Sequence, residues 1–263
     1  MAGAAVLGRL TTGWRVAEVV DTVDETPRVR TLVLAADGWP GHRAGQHLDV
    51  RLTAPDGYQA QRSYSLASPP GERPAITVER LDDGEVSPFL VDDVRPGDRI
   101  EVRGPIGGWF VWEPALGGPL LLVAGGSGVV PLMAMARLRA AAGSDVSARL
   151  LYSSRSWEDV IYRDELAGLA DGPAGLEVVH TLTRSQPPGW HGYARRVDEA
   201  LLREVAWPAE SGAQAFVCGP TAFVEAVASA LVTLGYPPER VKTERFGATG
   251  PRGCSTRRAR GRT

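Results

Sequence analysis

The sequence predicts two domains: an N-terminal six-stranded antiparallel β-barrel over 1–115, then a C-terminal doubly wound α/β domain with a five-stranded parallel sheet over 116–250. Three observations predict this. Up to about residue 110, short β-prone runs alternate with Gly/Pro turns, the pattern of a barrel or sandwich. From Leu120 onward, apolar strands alternate with helices, the pattern of a parallel sheet covered on both faces. The length, 263 residues, suits two medium domains, and the Gly/Pro-rich stretch 113–119 marks the boundary between them.

In the first half the strands are expected at 15–20, 29–35, 47–52, 62–66, 75–80 and 99–103. They are separated by Asp37-Gly38, Ala54-Pro55-Asp56-Gly57, Ser68-Pro69-Pro70-Gly71 and Arg95-Pro96-Gly97-Asp98, each rich in turn-forming residues. In the second half strands are expected at 120–124, 148–152, 176–183, 215–218 and 241–246, with helices at 131–142, 158–169, 197–205 and 221–234. The segment 251–263 is a basic tail with five arginines and almost no apolar side chain, expected to be disordered; it reads either as a docking arm for an acidic partner or as an unstructured end.

Composition narrows the function. Hydrophobic content of 43% and charged content of 23% are ordinary globular values. A net charge of −2 calls for neither nucleic acid nor an acidic membrane surface. No apolar run is long enough to span a bilayer, and no signal peptide is read at the start, so the expected location is cytoplasmic. The two cysteines, Cys218 and Cys254, make no disulfide framework and cannot hold a plant-type iron–sulfur cluster, which needs four thiolates. His42, His47, His180 and His191 are scattered without ligand spacing, and no metal site is expected.

Three segments carry chemistry. Gly125-Gly126-Ser127-Gly128-Val129-Val130-Pro131 joins a strand to a helix, where backbone N–H groups and the helix N-terminus suit a pyrophosphate. Its spacing is not G-x-G-x-x-G, and a tight turn without a ligand is the plain alternative. Arg62-Ser63-Tyr64-Ser65 places an arginine and an aromatic two residues apart, on one face of a strand. The guanidinium can grip a phosphate; standing alone, such a pair is an ordinary cross-strand contact. Val217-Cys218-Gly219-Pro220 ends a strand and starts a helix, forming a crevice with Cys218 as a small wall residue or simply as core.

In their order along the chain these segments resemble the ferredoxin–NADP reductase superfamily. The resemblance also takes in Ala44-Gly45-Gln46-His47, Gly84-Glu85-Val86-Ser87, Arg95-Pro96-Gly97-Asp98, Gly104-Pro105 with Phe110, and Glu244-Arg245-Phe246-Gly247. It runs from about Val16 to Gly247, without a fused iron–sulfur module. It implies an FAD barrel followed by an NAD(P) domain. Arg62 and its neighbour Ser63 would bind the FAD pyrophosphate, Tyr64 would lie against the isoalloxazine, and Ser65 would hydrogen-bond near flavin N5. Val78, Glu79 and Arg80 fall at the ribityl and phosphate portion. Gly84, Val86 and Ser87 would add phosphate donors. Gly126, Ser127, Gly128 and Val129 would carry the NAD(P)H pyrophosphate, and Cys218, Gly219 and Pro220 would flank the nicotinamide. The catalytic set would be Ser65, Cys218 and Glu244, with Phe246 either stacked at the flavin or a core aromatic on the last strand.

The choice between NADPH and NADH turns on the ribose 2′ position, where a phosphate wants positive charge and a hydroxyl wants a carboxylate. Ser154-Arg155 and Thr183-Arg184 end the second and third strands of the second half and favour NADPH. The function so implied is a flavoprotein reductase that passes electrons from NAD(P)H through FAD to a separate acceptor, a ferredoxin or an oxygenase component. A free flavin or quinone reductase and a non-catalytic flavin-binding subunit are the alternatives.

Overall fold

Turns rich in Gly and Pro cut the first half into strands whose alternate residues face inward. The computed structural model describes residues 13–173 and 175–247, so the basic segment 251–263 and Cys254 lie outside the described residues. Six strands form there: β1 (Arg15–Thr26), β2 (Val29–Ala36), β3 (His47–Thr53), β4 (Gln59–Ser65), β5 (Ala75–Glu79) and β6 (Arg99–Ile106). They make one antiparallel sheet in the order β4-β3-β6-β1-β2-β5. A bridge between Leu66 and Ile76 joins its two edges and closes the barrel. Leu32, Leu34, Leu48, Val50, Ile76, Val78, Ile100 and Val102 fill the interior. β1 continues well beyond the expected residue 20, because Asp21–Thr26 stays paired with β2 past two register shifts. Those shifts break the in–out alternation on which the shorter expectation rested. A helical turn, Phe89–Asp93, which the sequence did not suggest, buries Leu90 and Val91 against the barrel.

The second half holds β7 (Leu120–Gly125), α1 (Val129–Ala141), β8 (Ala148–Ser154), α2 (Arg163–Asp171), β9 (Leu176–Leu182), α3 (Glu199–Val205), β10 (Gln214–Pro220), α4 (Thr221–Thr233) and β11 (Val241–Phe246). Its parallel sheet runs β11-β10-β7-β8-β9, with the fully buried β7 at the centre. The chain fills one side of β7 with β8 and β9, then the other with β10 and β11, so the topological switch lies between β7 and β10. That is where open α/β sheets bind ligands. α2 starts later than expected, at Arg163. Tyr162 has φ 58°, a left-handed conformation that a helix interior does not accept from a bulky residue. α3 starts at Glu199, set by Asp198, whose carboxylate accepts the Leu201 N–H at 2.8 Å.

The two sheets share packing. One apolar cluster holds Ala44, Ala67, Phe110 and Trp112 from the first half together with Leu122, Met133, Met135 and Phe216 from the second. Phe110 meets Phe216 edge-on with ring centroids 5.4 Å apart. Arg137 on α1 donates to the Ala67 carbonyl at 2.7 Å and forks onto Glu165 at 2.8 and 2.6 Å. The hydroxyls of Thr77 and Tyr162 hydrogen-bond across the same boundary.

Candidate functional site

The barrel meets the carboxyl ends of the parallel sheet at two points: Glu79 at the end of β5 accepts the Ser127 hydroxyl at 2.7 Å, and His47 at the start of β3 lies 3.8 Å from Glu244 of β11. β4 pairs with β3 so that Tyr64 stands opposite Leu48 and Arg62 opposite Val50, while Ser65 stands opposite His47 and Ser63 opposite Asp49. Directly opposed residues share a face. The strand therefore shows Arg62 and Tyr64 on one side and Ser63 and Ser65 on the other, and it stops at Ser65.

The Arg62 face has the donor set of an anion site. The guanidinium is about half exposed and donates to Glu85 Oε2 at 2.7 Å, while the Tyr58 hydroxyl donates to the other oxygen at 2.7 Å. The segment 84–87 is thus brought against β4, as its place in the sequence order requires. The acid that Arg62 grips there has the charge of the phosphate that the resemblance expects. Ser87 is buried, and its hydroxyl accepts the Leu81 N–H at 3.1 Å. Val78 and Val86 are fully buried in the barrel core, backbone included, so the structure gives them packing roles rather than the cofactor contacts that the resemblance implies. Ser63 donates to Asp49 at 2.6 Å, in a group with Arg103, and does not face Arg62's partners. Arg80 is held by Asp92 at 2.7 Å and by Asp82, so a phosphate there must displace a carboxylate. Glu79 turns towards the second half, where its carboxylate accepts the Ser127 hydroxyl at 2.7 Å. Tyr64 is partly buried, and its surroundings push the phenol well above its ordinary range.

The glycine turn shows why its residues are glycines. Gly126 has φ 55°, and a Cβ on Gly128 would lie 2.1 Å from the Cys218 carbonyl oxygen. The turn therefore packs backbone to backbone on β10. No side chain caps the turn or the start of α1, and the Val129 N–H is already bonded back to Gly126 O and Ser127 O within the turn. Gly128→Ala must push the turn away from Cys218. The expected result is weaker nicotinamide-dinucleotide binding at unchanged FAD content, read by calorimetric titration beside the flavin spectrum.

On the far wall, Cys218 of β10 is in register with Glu244 of β11, and Pro220 with Phe246. Burial, with Glu244 adding to it, holds the Cys218 thiol well above its usual value, so it is a neutral wall group. Glu244 is the unusual member. Its Oε2 is buried without a hydrogen-bond partner, its Oε1 lies 3.8 Å from His47 Nδ1, and burial pushes its carboxyl up to about 7. Burial also lowers the His47 imidazole, opposed by Asp49. Ser65, His47, Glu244 and Cys218 thus succeed one another from barrel to parallel sheet. His47 is the member that the sequence reading passed over. Phe246, at the end of β11 beside Pro220, is 38% exposed, so it is not a core aromatic. At the opposite sheet edge, Thr183 donates its N–H and hydroxyl to the Ser154 carbonyl at 3.0 and 3.1 Å, and Arg184 N–H bonds Arg155 O at 2.9 Å. The two serine/threonine–arginine segments are thereby one surface, with Arg155 and Arg184 both exposed.

Residues 18–111 match the model of the oxidoreductase FAD-binding domain, and residues 122–229 that of the oxidoreductase NAD-binding domain. The chain is 36% identical over 209 residues to ferredoxin–NADP reductase B of Sorangium cellulosum, covering 77% of this chain and 84% of that one. It is 32% identical over 247 residues to the glycine betaine monooxygenase reductase subunit of Chromohalobacter salexigens, covering 91% of this chain and 66% of that subunit. The chain thus spans about two thirds of the latter's length. The FAD/NAD-binding domain of Vibrio cholerae nitric oxide dioxygenase superposes with a TM-score of 0.79 at 25% identity, over 89% of this chain and 99% of that one. Among the described residues no helix is long and apolar enough to cross a membrane. The six-stranded barrel, the parallel sheet with its glycine turn, and these likenesses agree: the chain belongs to the ferredoxin–NADP reductase superfamily, whose members bind FAD and a nicotinamide nucleotide.

Proposed function

We propose that this protein is an electron-transfer reductase that draws reducing equivalents from NAD(P)H and delivers them to a separate acceptor, an iron–sulfur protein or oxygenase component. The observation that carries the reading is the succession of Ser65, His47, Glu244 and Cys218 across the boundary between barrel and parallel sheet, with Arg62 on the barrel side and the glycine turn on the other. FAD, when bound, supplies the chemistry of accepting a hydride and releasing its electrons singly. The protein's part is to bind and orient. Residues 1–115 would form the FAD half and 116–250 the nicotinamide half. Arg62, Tyr64, Gly84 and Ser87 would hold FAD on the barrel, with Arg80 beside them; Ser63, turned onto Asp49, and the buried Val78 and Val86 stand outside this set. Gly126 to Val129 would cradle the dinucleotide phosphates, and Cys218, Gly219 and Pro220 would set the nicotinamide plane, with Phe246 at its edge. Glu244 would hold or release a proton at its oxygens near neutral pH, with His47 beside it. The protein would work in the cytoplasm, a compartment that supplies nicotinamide donors. The names of the relatives, a ferredoxin reductase and a monooxygenase reductase subunit, support the class of acceptor.

The test is anaerobic stopped-flow reduction of the yellow protein by NADPH and by NADH, followed by mixing with candidate ferredoxins. Bleaching followed by rapid reoxidation by an iron–sulfur protein is the expected result. A protein that FAD cannot reconstitute contradicts the reading, and one reoxidised only by free flavins or quinones moves it to the flavin/quinone reductase class. The exposed pair Arg155 and Arg184 supports NADPH as donor, since a 2′-phosphate gains from a guanidinium. Arg184→Ala is therefore expected to raise KM for NADPH about tenfold while leaving NADH near its starting value. An unchanged NADPH/NADH ratio argues against the assignment.

A further inference from the structure

Glu79 is placed by sequence order beside the FAD-binding part of the barrel, yet its carboxylate serves the other half of the molecule. It reaches across the boundary and accepts the hydroxyl proton of Ser127, the central residue of the glycine turn, at 2.7 Å. Its backbone is fixed at the end of β5, in register with Val29 of β2, so the strand delivers the carboxylate to this point. Among the described residues it forms no ion pair: the neighbouring Arg80 is turned away onto Asp82 and Asp92. Tyr152, buried on β8 beneath the turn, feels the Glu79 charge. A carboxylate without an ion-pair partner among the described residues thus stands at the turn proposed to take the pyrophosphate.

Two consequences follow from the chemistry. The Ser127 hydroxyl has one proton to donate, and it cannot serve Glu79 and a phosphate oxygen together. A dinucleotide phosphate arriving at the turn also meets a like charge within a few ångströms, in a setting less polar than bulk water, where the repulsion is appreciable.

We propose that Glu79 is an affinity-setting residue of the dinucleotide site, one that weakens the hold of the turn on the pyrophosphate and so hastens departure of the oxidised nicotinamide product. The Glu79–Ser127 bond ties the barrel to the turn, and binding of the phosphates exchanges that tie for a phosphate contact. Departure of the product restores it. Product release limits turnover in many enzymes, so a built-in competitor for the turn has a purpose. The inference rests on the reading of Gly126 to Val129 as the pyrophosphate site.

The experiment is calorimetric titration of the FAD-loaded protein with NADP+ and with ADP-ribose, for wild type, Glu79→Gln, Glu79→Ala and Ser127→Asp, at low and high salt. Glu79→Gln keeps the shape and a hydrogen-bond acceptor and removes only the charge. Both Glu79 variants are expected to bind the two ligands about tenfold more tightly at low salt. The gap should narrow as salt rises. The dissociation rate of NADP+, followed by stopped flow, should fall by a similar factor. Ser127→Asp adds a second negative charge to the turn and should weaken both ligands. Unchanged or weaker binding by Glu79→Gln overturns the inference. Weakened binding by Ser127→Asp together with unchanged Glu79→Gln confines the failure to Glu79. Unchanged binding by Ser127→Asp removes the turn itself as the pyrophosphate site. Flavin absorbance of each variant verifies that the barrel remains loaded.

Discussion

Arg62→Ala is expected to emerge from purification folded but depleted of FAD. The side chain is about half exposed and its hydrogen bonds among the described residues go to Glu85 Oε2 and to its neighbour's carbonyl, Gln61 O, so its loss leaves the barrel core in place. What it removes is the positive charge on the face of β4 that the segment 84–87 approaches. A charged hydrogen-bond set of this kind is worth roughly 1.5–3 kcal/mol. That is a fall of roughly ten- to a hundredfold in FAD affinity. Glu85 makes the loss worse. Its carboxyl is held below the usual carboxylate range by the Tyr58 hydroxyl and by Arg62, and without the arginine it remains as an anion beside the phosphate position. Flavin fluorescence on dilution measures the dissociation constant, and circular dichroism confirms the fold. Wild-type FAD affinity in this variant would remove Arg62 from the site.

Glu244→Gln should abolish a pH dependence of stability. Burial lifts this carboxyl from 4.5 to about 7, so the folded chain holds its proton more tightly than the unfolded chain does. The stability tied to that proton is complete below the unfolded value and is lost as pH rises to the folded one. Over that window the loss amounts to about 3 kcal/mol. Denaturant titrations at about pH 5 and pH 8 should therefore show a steeper decline for wild type than for Glu244→Gln, which carries no ionisable group there. Equal slopes would mean that Glu244 ionises normally in the fold. The same substitution should flatten the limb of the kcat profile near neutrality, because a glutamine cannot hold or release the proton.

The order of strands and helices was legible because Gly and Pro sit at nearly every junction. Most element limits fall within a few residues of those read from the sequence; where they diverge, a local cause is visible. β1 outruns its pattern through two register shifts, and α2 begins late because Tyr162 adopts a left-handed conformation. Site residues were harder to read. Arg62 and Tyr64 could be paired from strand periodicity alone, but their meeting with 84–87 depends on the barrel bringing distant turns together. His47 was passed over because its role depends on a partner distant in sequence: Glu244 comes from the last strand of the other half. Its direct opposition to Ser65 depends on the β3–β4 register. The signal that could have found it is its place beside Gly45-Gln46, within a segment that already carried the resemblance. Glu79 was legible as a position near the cofactor but not in direction, since the side of the boundary to which its carboxylate turns is fixed by tertiary packing.

The apolar cluster that runs from Ala44, Phe110 and Trp112 into Met133, Met135 and Phe216 bears on modularity. A hinge between two self-sufficient parts would expose little when they separate; here, separation uncovers aromatic and methionine side chains from both parts at once. The seam is therefore structural cement rather than a joint. Expressing either half alone would leave that surface bare, so each is expected to be stable only beside the other.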